Sequence, residues 1–176
     1  MRNRSSVRRL TLSAMLVAVG LLLPFLTAQI QSIGNMLSPM HLPVFIAGLT
    51  CGPAWGFAVG AVLPLLRSTL FGMPPLMPTA AAMTCELAAY GYFSGLLRKH
   101  LPKTMPMLYV ALCASMLLGR LVWGIASLFF YGFVSNMFTW KIFVTNGFVK
   151  AVPGIILQFA IIPPIVRALD KTHLAD

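Results

Sequence analysis

Six apolar stretches alternate with short polar segments along the 176-residue chain. A helix needs roughly 20 apolar residues to cross the hydrocarbon core of a bilayer, so each stretch predicts one transmembrane helix. The pattern predicts an all-α membrane protein with a single domain over residues 1–176 and short loops. We expect its six helices over residues of about 7–27, 37–51, 54–71, 79–97, 105–130 and 146–169.

Proline and glycine mark the breaks between these stretches. Gly52-Pro53 predicts a tight turn between the second and third helices. The segment 72–78 holds three prolines, which remove backbone donors and clash with the preceding turn, so it cannot continue a helix. Pro39 and Pro43 predict an irregular or re-entrant start to the second helix.

Composition and charge support the membrane assignment. The chain is 59% hydrophobic and 9% charged, and its mean hydropathy is +0.87. Nine of the 13 Lys and Arg residues lie in the N-terminal segment, in the loop after the fourth helix and in the C-terminal tail. By the positive-inside rule, this distribution predicts a bacterial plasma-membrane protein with both termini in the cytoplasm. Because the net charge of +10 lies in loops and not on one solvated face, it does not indicate a nucleic-acid surface.

Four ionisable residues interrupt the apolar helices: Arg67, Glu86, Arg120 and Lys150. At ~1.5 Å per residue, all four fall about 8–15 Å below the outer ends of their helices. Charged residues at this depth usually face a cavity or a partner, so we predict a polar chamber open to the outside. One carboxylate cannot neutralise three cations, and the excess favours an anionic or strongly polar ligand.

Internal pairing is the alternative for each of these residues. Glu86 would then pair with Arg120 or Arg67, and Lys150 would extend its amine to the membrane surface.

Four further residues are candidates for the same site. Tyr90 lies one turn after Glu86, and Trp123 lies three residues after Arg120 on the same helix face. His41 is close to the first external loop, and Asn146 begins the sixth helix. Ordinary roles compete with binding in every case, namely packing for His41, an N-cap for Asn146, and an interfacial belt for the aromatic side chains.

Small residues recur at i, i+4 spacing in several helices and predict close helix packing in lipid. They are Gly52, Gly56 and Gly60, then Ala111, Ser115 and Gly119, and Ala14 with Ala18.

The three cysteines are far apart in apolar segments, so we interpret them as small buried residues and not as a disulfide or metal site. The sequence contains no phosphate-binding loop, HExxH or paired carboxylates, which argues against an enzyme or an ATPase and against a bound cofactor.

The chain resembles, over essentially its whole length, the substrate-binding S components of energy-coupling factor (ECF) vitamin transporters. The resemblance rests on the basic N-terminus, on Ala14-x-x-x-Ala18, and on the segments 39–56, 67–75 and 119–124. It is greatest with the branch that holds the pantothenate and hydroxymethylpyrimidine transporters.

The resemblance implies an outward-facing vitamin site built from helices 4 to 6 and the external loops. It also implies docking, through the small face of the first helix at Ala14 and Ala18, on a module of one membrane scaffold (EcfT) and two ATPase subunits. Arg67 lies on the third helix, outside the usual binding helices, so a packing role competes with binding there.

Two other functions fit the same composition. One is a membrane scaffold or assembly protein with a sealed polar network and no ligand, and the other is a solitary secondary transporter. The absence of internal symmetry and of half-helices makes the secondary transporter the weaker of the two. The leading hypothesis is that the chain is an S component. The first expectation for its ligand is pantothenate, a vitamin that bears a carboxylate.

Overall fold

The computed structural model describes residues 2–27, 38–134, 144–149 and 151–172. All regular secondary structure in these residues is helical. Six α-helices follow one another in these residues: α1 Arg2–Leu22, α2 His41–Cys51, α3 Pro53–Phe71, α4 Ala81–His100, α5 Met105–Val134 and α6 Val152–Lys171. A 3-10 turn, Leu23–Thr27, continues α1, and π-type turns at Leu76–Ala80 and Thr145–Val149 precede α4 and α6. The prediction of an all-helical protein is confirmed.

Four helical segments among the described residues are long and apolar enough to cross a membrane: Ser6–Phe25, Pro53–Phe71, Met105–Gly132 and Val152–Lys171. The two other helices differ for physical reasons. α2 has 11 residues, or about 16 Å of helix, and α4 carries three charged residues, Glu86, Arg98 and Lys99. Four of the six predicted membrane crossings are therefore supported by helix length and composition. The number of α-helices in the described residues is six, as predicted.

The helix ends differ from the predicted ends where local chemistry overrides apolar length. α1 begins at Arg2, within the basic segment, and α2 begins only at His41, after a turn in which Ser38 has a φ of 45°. α4 continues to His100, so Arg98 lies inside a helix and not in the predicted loop. There Arg98 Nη2 donates to Asp170 Oδ2 at 2.6 Å, which ties the ends of α4 and α6 together.

The predicted break after the third helix is confirmed. Gly72 ends α3 in the left-handed conformation with a φ of 68°, which a residue without a Cβ adopts at least cost. Within the following turn, Met77 has extended backbone angles, so helix does not resume until Pro78 has been passed.

α2 forms the centre of the bundle. All of its 11 residues are buried, and it packs against α1, α3, α4 and α6. Phe45 of α2, Leu63 of α3 and Leu87 of α4 are completely buried in the apolar core. A helix that is apolar around its whole circumference is typical of such an enclosed position.

Glycines bring α3 and α4 into backbone contact, as the small-residue pattern predicts. A Cβ on Gly91 would collide with the backbone carbonyl of Gly56, and one on Gly60 with the backbone carbonyl of Leu87. Gly119 of α5 leaves room for the ring of Tyr90 in the same way. Gly52 is different, because nothing lies within 4 Å of its position and its φ of 99° is the reason for a glycine in the turn.

The cysteine prediction is correct for one residue and wrong for another. Cys51 is buried, Cys85 is half-buried, and Cys113 is exposed on the surface of α5. All three thiols are free, and an apolar surface position in a lipid-facing helix costs a cysteine little.

We expect Gly91→Val to destabilise the protein by about 1–3 kcal/mol or more, because the added side chain would enter the backbone of α3. Gly132→Val in α5 is the matched control, since nothing lies within 4 Å of that position. Thermal unfolding of the purified variants in detergent measures both effects. Equal melting temperatures for the two variants would contradict the glycine contact.

Candidate functional site

A buried carboxylate lies where α2, α4 and α5 meet. Glu86 of α4 is 2% exposed, and its Oε1 accepts two hydrogen bonds of 2.8 Å, one from Arg120 Nη1 of α5 and one from the Tyr90 hydroxyl. A buried charge is tolerable only when it is paired and hydrogen-bonded. Of the two internal partners that the sequence offered for Glu86, the structure brings Arg120 to it.

His41 adds a fourth group to this cluster. It is the first residue of α2, is 5% exposed and lies beside the ring of Tyr90, with ring centroids 5.3 Å apart. Its Nε2 is 3.9 Å from Glu86 Oε1, which is too long for a hydrogen bond. Both ring nitrogens are buried and have no hydrogen-bond partner among the described residues.

The ring of Trp123 and the backbone at Gly147 lie next to the side chain of Arg120. The Arg120 Cζ lies 6.0 Å from the centroid of the Trp123 ring, within the range of a cation–π contact. A Cβ on Gly147 would lie 3.3 Å from the Trp123 ring and 4.0 Å from Arg120 Cδ. The turn Thr145–Val149, which precedes α6, therefore closes against Arg120 and Trp123.

Arg67 does not join this cluster. It is 6% exposed, donates from Nη1 to the backbone oxygen of Leu21 at 3.1 Å, and has its Cζ 5.7 Å and 5.6 Å from the ring centroids of Phe25 and Phe71. These contacts join the end of α1 to the end of α3. Depth along the helix axis placed Arg67 in the same layer as Glu86, but depth says nothing about the direction in which a side chain leaves its helix.

Two predicted site residues lie partly or wholly outside the described part of the chain. Asn146 belongs to the turn Thr145–Val149, next to Gly147, while its side chain lies outside the described part of the chain. Lys150 lies outside the described residues altogether.

The small face of α1 is open. Ala14 and Ala18 are both exposed, whereas Ser13 and Leu16, on the other side of the helix, are buried against the bundle. The two alanines form a flat exposed surface because they are separated by one helical turn.

A groove of about 740 Å³ runs elsewhere, along the outside of α3 and α4. Its walls are apolar, with Phe57, Ala88 and Phe93 among them, and none of the predicted site residues lines it. A groove of this kind suits lipid chains better than a polar ligand, so the cluster around Glu86 and Arg120 is the better candidate site.

The charges in this cluster cancel. Arg120 alone could clamp a carboxylate or phosphate through its planar donors, with Trp123 as an apolar wall. In the structure this guanidinium is already engaged by Glu86, so a ligand would have to share or replace that pairing. The ion pair between Arg98 and Asp170, at the other end of α4, could not be predicted from the sequence, because both residues fall where polar loops are expected.

Comparison with known families gives one match. A family model described as ECF transporter, substrate-specific component, matches residues 8–166, which is most of the 176-residue chain. No curated protein and no solved structure gives a significant match. The match agrees with the resemblance seen in the sequence at the level of the family, and it does not distinguish a pantothenate or hydroxymethylpyrimidine branch.

We expect Arg120→Met to destabilise the protein by about 3–5 kcal/mol, because it leaves the Glu86 carboxylate buried without a counter-charge. The double variant Glu86→Gln/Arg120→Met should recover most of that loss, since both charges are then absent. Melting temperatures of wild type, the two single variants and the double variant complete the cycle. Additive losses in the double variant would show that the two side chains do not depend on each other.

Proposed function

The chain belongs to the family of substrate-specific components of ECF transporters, and from this premise we propose that it binds a small polar or anionic micronutrient for ATP-driven uptake. Proteins of this family are components of transporters and not enzymes. The observation that carries the proposal for the ligand is the guanidinium of Arg120, whose side chain is 12% exposed and which is held 2.8 Å from Glu86 beside the face of Trp123.

A carboxylate-bearing vitamin fits this arrangement, with pantothenate as the first candidate. The planar donors of Arg120 suit a carboxylate, and the Trp123 ring offers a wall for the apolar part of such a ligand. The backbone at Gly147 lies close to both side chains, since a Cβ there would be 3.3 Å from the Trp123 ring, and it would form a third side of the site. His41, Tyr90 and Asn146 would add neutral hydrogen-bonding groups, and Lys150 a further cation.

ATP hydrolysis would be supplied by partners, namely the membrane scaffold EcfT and two ATPase subunits. The exposed face at Ala14 and Ala18 supports α1 as the surface that meets the scaffold. Small residues at i, i+4 let two helices approach closely in lipid, which a contact between subunits within the membrane requires.

The proposed orientation places both termini in the cytoplasm of a bacterial cell. The basic residues at the end of α4 support it, since Lys99 and Lys103 are exposed there and cytoplasmic loops carry the excess of such residues. The Glu86 and Arg120 cluster then lies in the half of the membrane that faces outward, where a ligand arrives.

A ligand-free membrane scaffold is the second candidate, because the ion pair of Glu86 and Arg120 is complete without any ligand. In that case the pair would serve the fold alone. Binding measurements on the purified protein separate the two functions.

Ala14→Trp and Ala18→Trp should each abolish uptake in cells while the isolated protein keeps its ligand affinity, because an indole on this face would hold the partner away from α1. Ile125→Trp in α5 is the matched control, since Ile125 is 69% exposed on another helix. Vitamin uptake and ligand binding are measured on the same variants. Normal transport by both alanine variants would exclude this face as the docking surface.

Removing the guanidinium should weaken binding of an anionic vitamin by roughly 30-fold or more, the equivalent of losing about 2–5 kcal/mol from a desolvated charge pair. The comparison is best made between Glu86→Gln and Glu86→Gln/Arg120→Met, because neither protein then holds an unpaired buried carboxylate. Calorimetric titration with pantothenate and with panthenol, in which an alcohol replaces the carboxylate, gives the dissociation constants. A loss limited to pantothenate supports a carboxylate clamp, and equal affinities in the two proteins would refute it.

A further inference from the structure

The described part of the site is electrically neutral before any ligand arrives. It holds one carboxylate, on Glu86, and one guanidinium, on Arg120, and these are paired at 2.8 Å. An anion that binds Arg120 takes this counter-charge away from Glu86. The site would then carry a net negative charge at a residue that is 2% exposed, which is strongly unfavourable.

His41 has the position and the unused hydrogen-bonding capacity to correct this imbalance. Both of its ring nitrogens are buried without a partner among the described residues, although buried polar atoms are normally satisfied. Its Nε2 is 3.9 Å from Glu86 Oε1, so a movement of about 1 Å brings it into hydrogen-bond range. A protonated imidazole donates from both nitrogens and carries the positive charge that Arg120 would withdraw.

We propose that His41 is the replacement partner of Glu86. When an anionic ligand engages Arg120, His41 takes up one proton from the solvent and pairs with Glu86. The site contains one ion pair before binding and two after it, and it is neutral in both states. This inference rests on the proposed function, and it adds that uptake of an anionic substrate is coupled to protonation of the binding site.

Among the described residues near Glu86, His41 is the one suited to replace Arg120 as its partner. Arg120 of α5 and Tyr90 of α4 also act on Glu86, but the first is the group that the ligand engages and the second is a neutral donor already in use. Arg67 of α3 is bonded to α1. Lys150 lies outside the described residues and is the competing source of positive charge, one that would need no proton.

The test is isothermal titration of the purified full-length protein with pantothenate, in two buffers of different ionisation enthalpy. At about pH 8 we expect close to one proton to be taken up per ligand bound. The dissociation constant should rise about tenfold per pH unit above that pH. Panthenol is the neutral control, and its binding should take up no proton.

Two variants test the roles of the individual residues. His41→Gln should bind pantothenate more weakly, with no proton uptake and with an affinity that no longer depends on pH. Glu86→Gln should bind pantothenate without proton uptake for a different reason, because Arg120 is then free and no carboxylate remains to be neutralised. A purely structural role for His41 would change stability without changing the number of protons.

Each result separates this inference from the proposed function. Binding of pantothenate by the wild type without proton uptake would overturn the inference and leave the function intact, with Lys150 as the source of charge. Proton uptake that persists in His41→Gln or in Glu86→Gln would also overturn it, and the second variant decides if the first fails to fold. No binding of any anionic vitamin by the wild type would instead refute the anion-binding function itself.

Discussion

The negative charge of Glu86 has to be neutralised inside the bundle. This requirement links α4 with α5 and places the start of α2 beside them. Arg120 of α5 and Tyr90 of α4 both donate to Oε1 of Glu86, and His41 of α2 lies beside them. Charge and packing are coupled at this point, because the Tyr90 ring occupies the space above Gly119, the residue that precedes Arg120. The packing of the ring and the ion pair therefore depend on adjacent residues of α5.

Arg67 and Arg120 lie in different parts of the bundle and make different contacts. Arg120 belongs to the candidate site, whereas Arg67 fixes the end of α1 to α3 through the backbone of Leu21 and two phenylalanine rings. Since α1 carries Ala14 and Ala18, Arg67 helps to set the angle at which this exposed face is presented. The cations inferred from the sequence are therefore not gathered in one site, since Arg67 is bonded to α1 while Arg120 is paired with Glu86.

The sequence predicted what depends on local or one-dimensional signals. Apolar length predicted the helices, the prolines of segment 72–78 predicted the break before α4, and the spacing of Gly56 and Gly60 predicted close helix packing without identifying α4 as the partner. Axial depth also put Glu86 and Arg120 in one layer, but it could not choose between Arg120 and Arg67, because that choice depends on the rotation of each helix about its axis. The pairing of Arg98 with Asp170 depends on two helix ends that extend beyond the apolar stretches, and no local pattern reveals it.

The burial of α2 has a consequence for how the protein is made. This helix is about 16 Å long, too short to be inserted across a bilayer as an independent segment during synthesis. α3 is long enough, and it follows after the single residue Gly52, whose φ of 99° allows the chain to reverse. We therefore expect the two helices to enter the membrane together as a hairpin. Because α1, α4 and α6 also cover the surface of α2, we expect membrane insertion to be coupled to assembly of the core for this part of the chain.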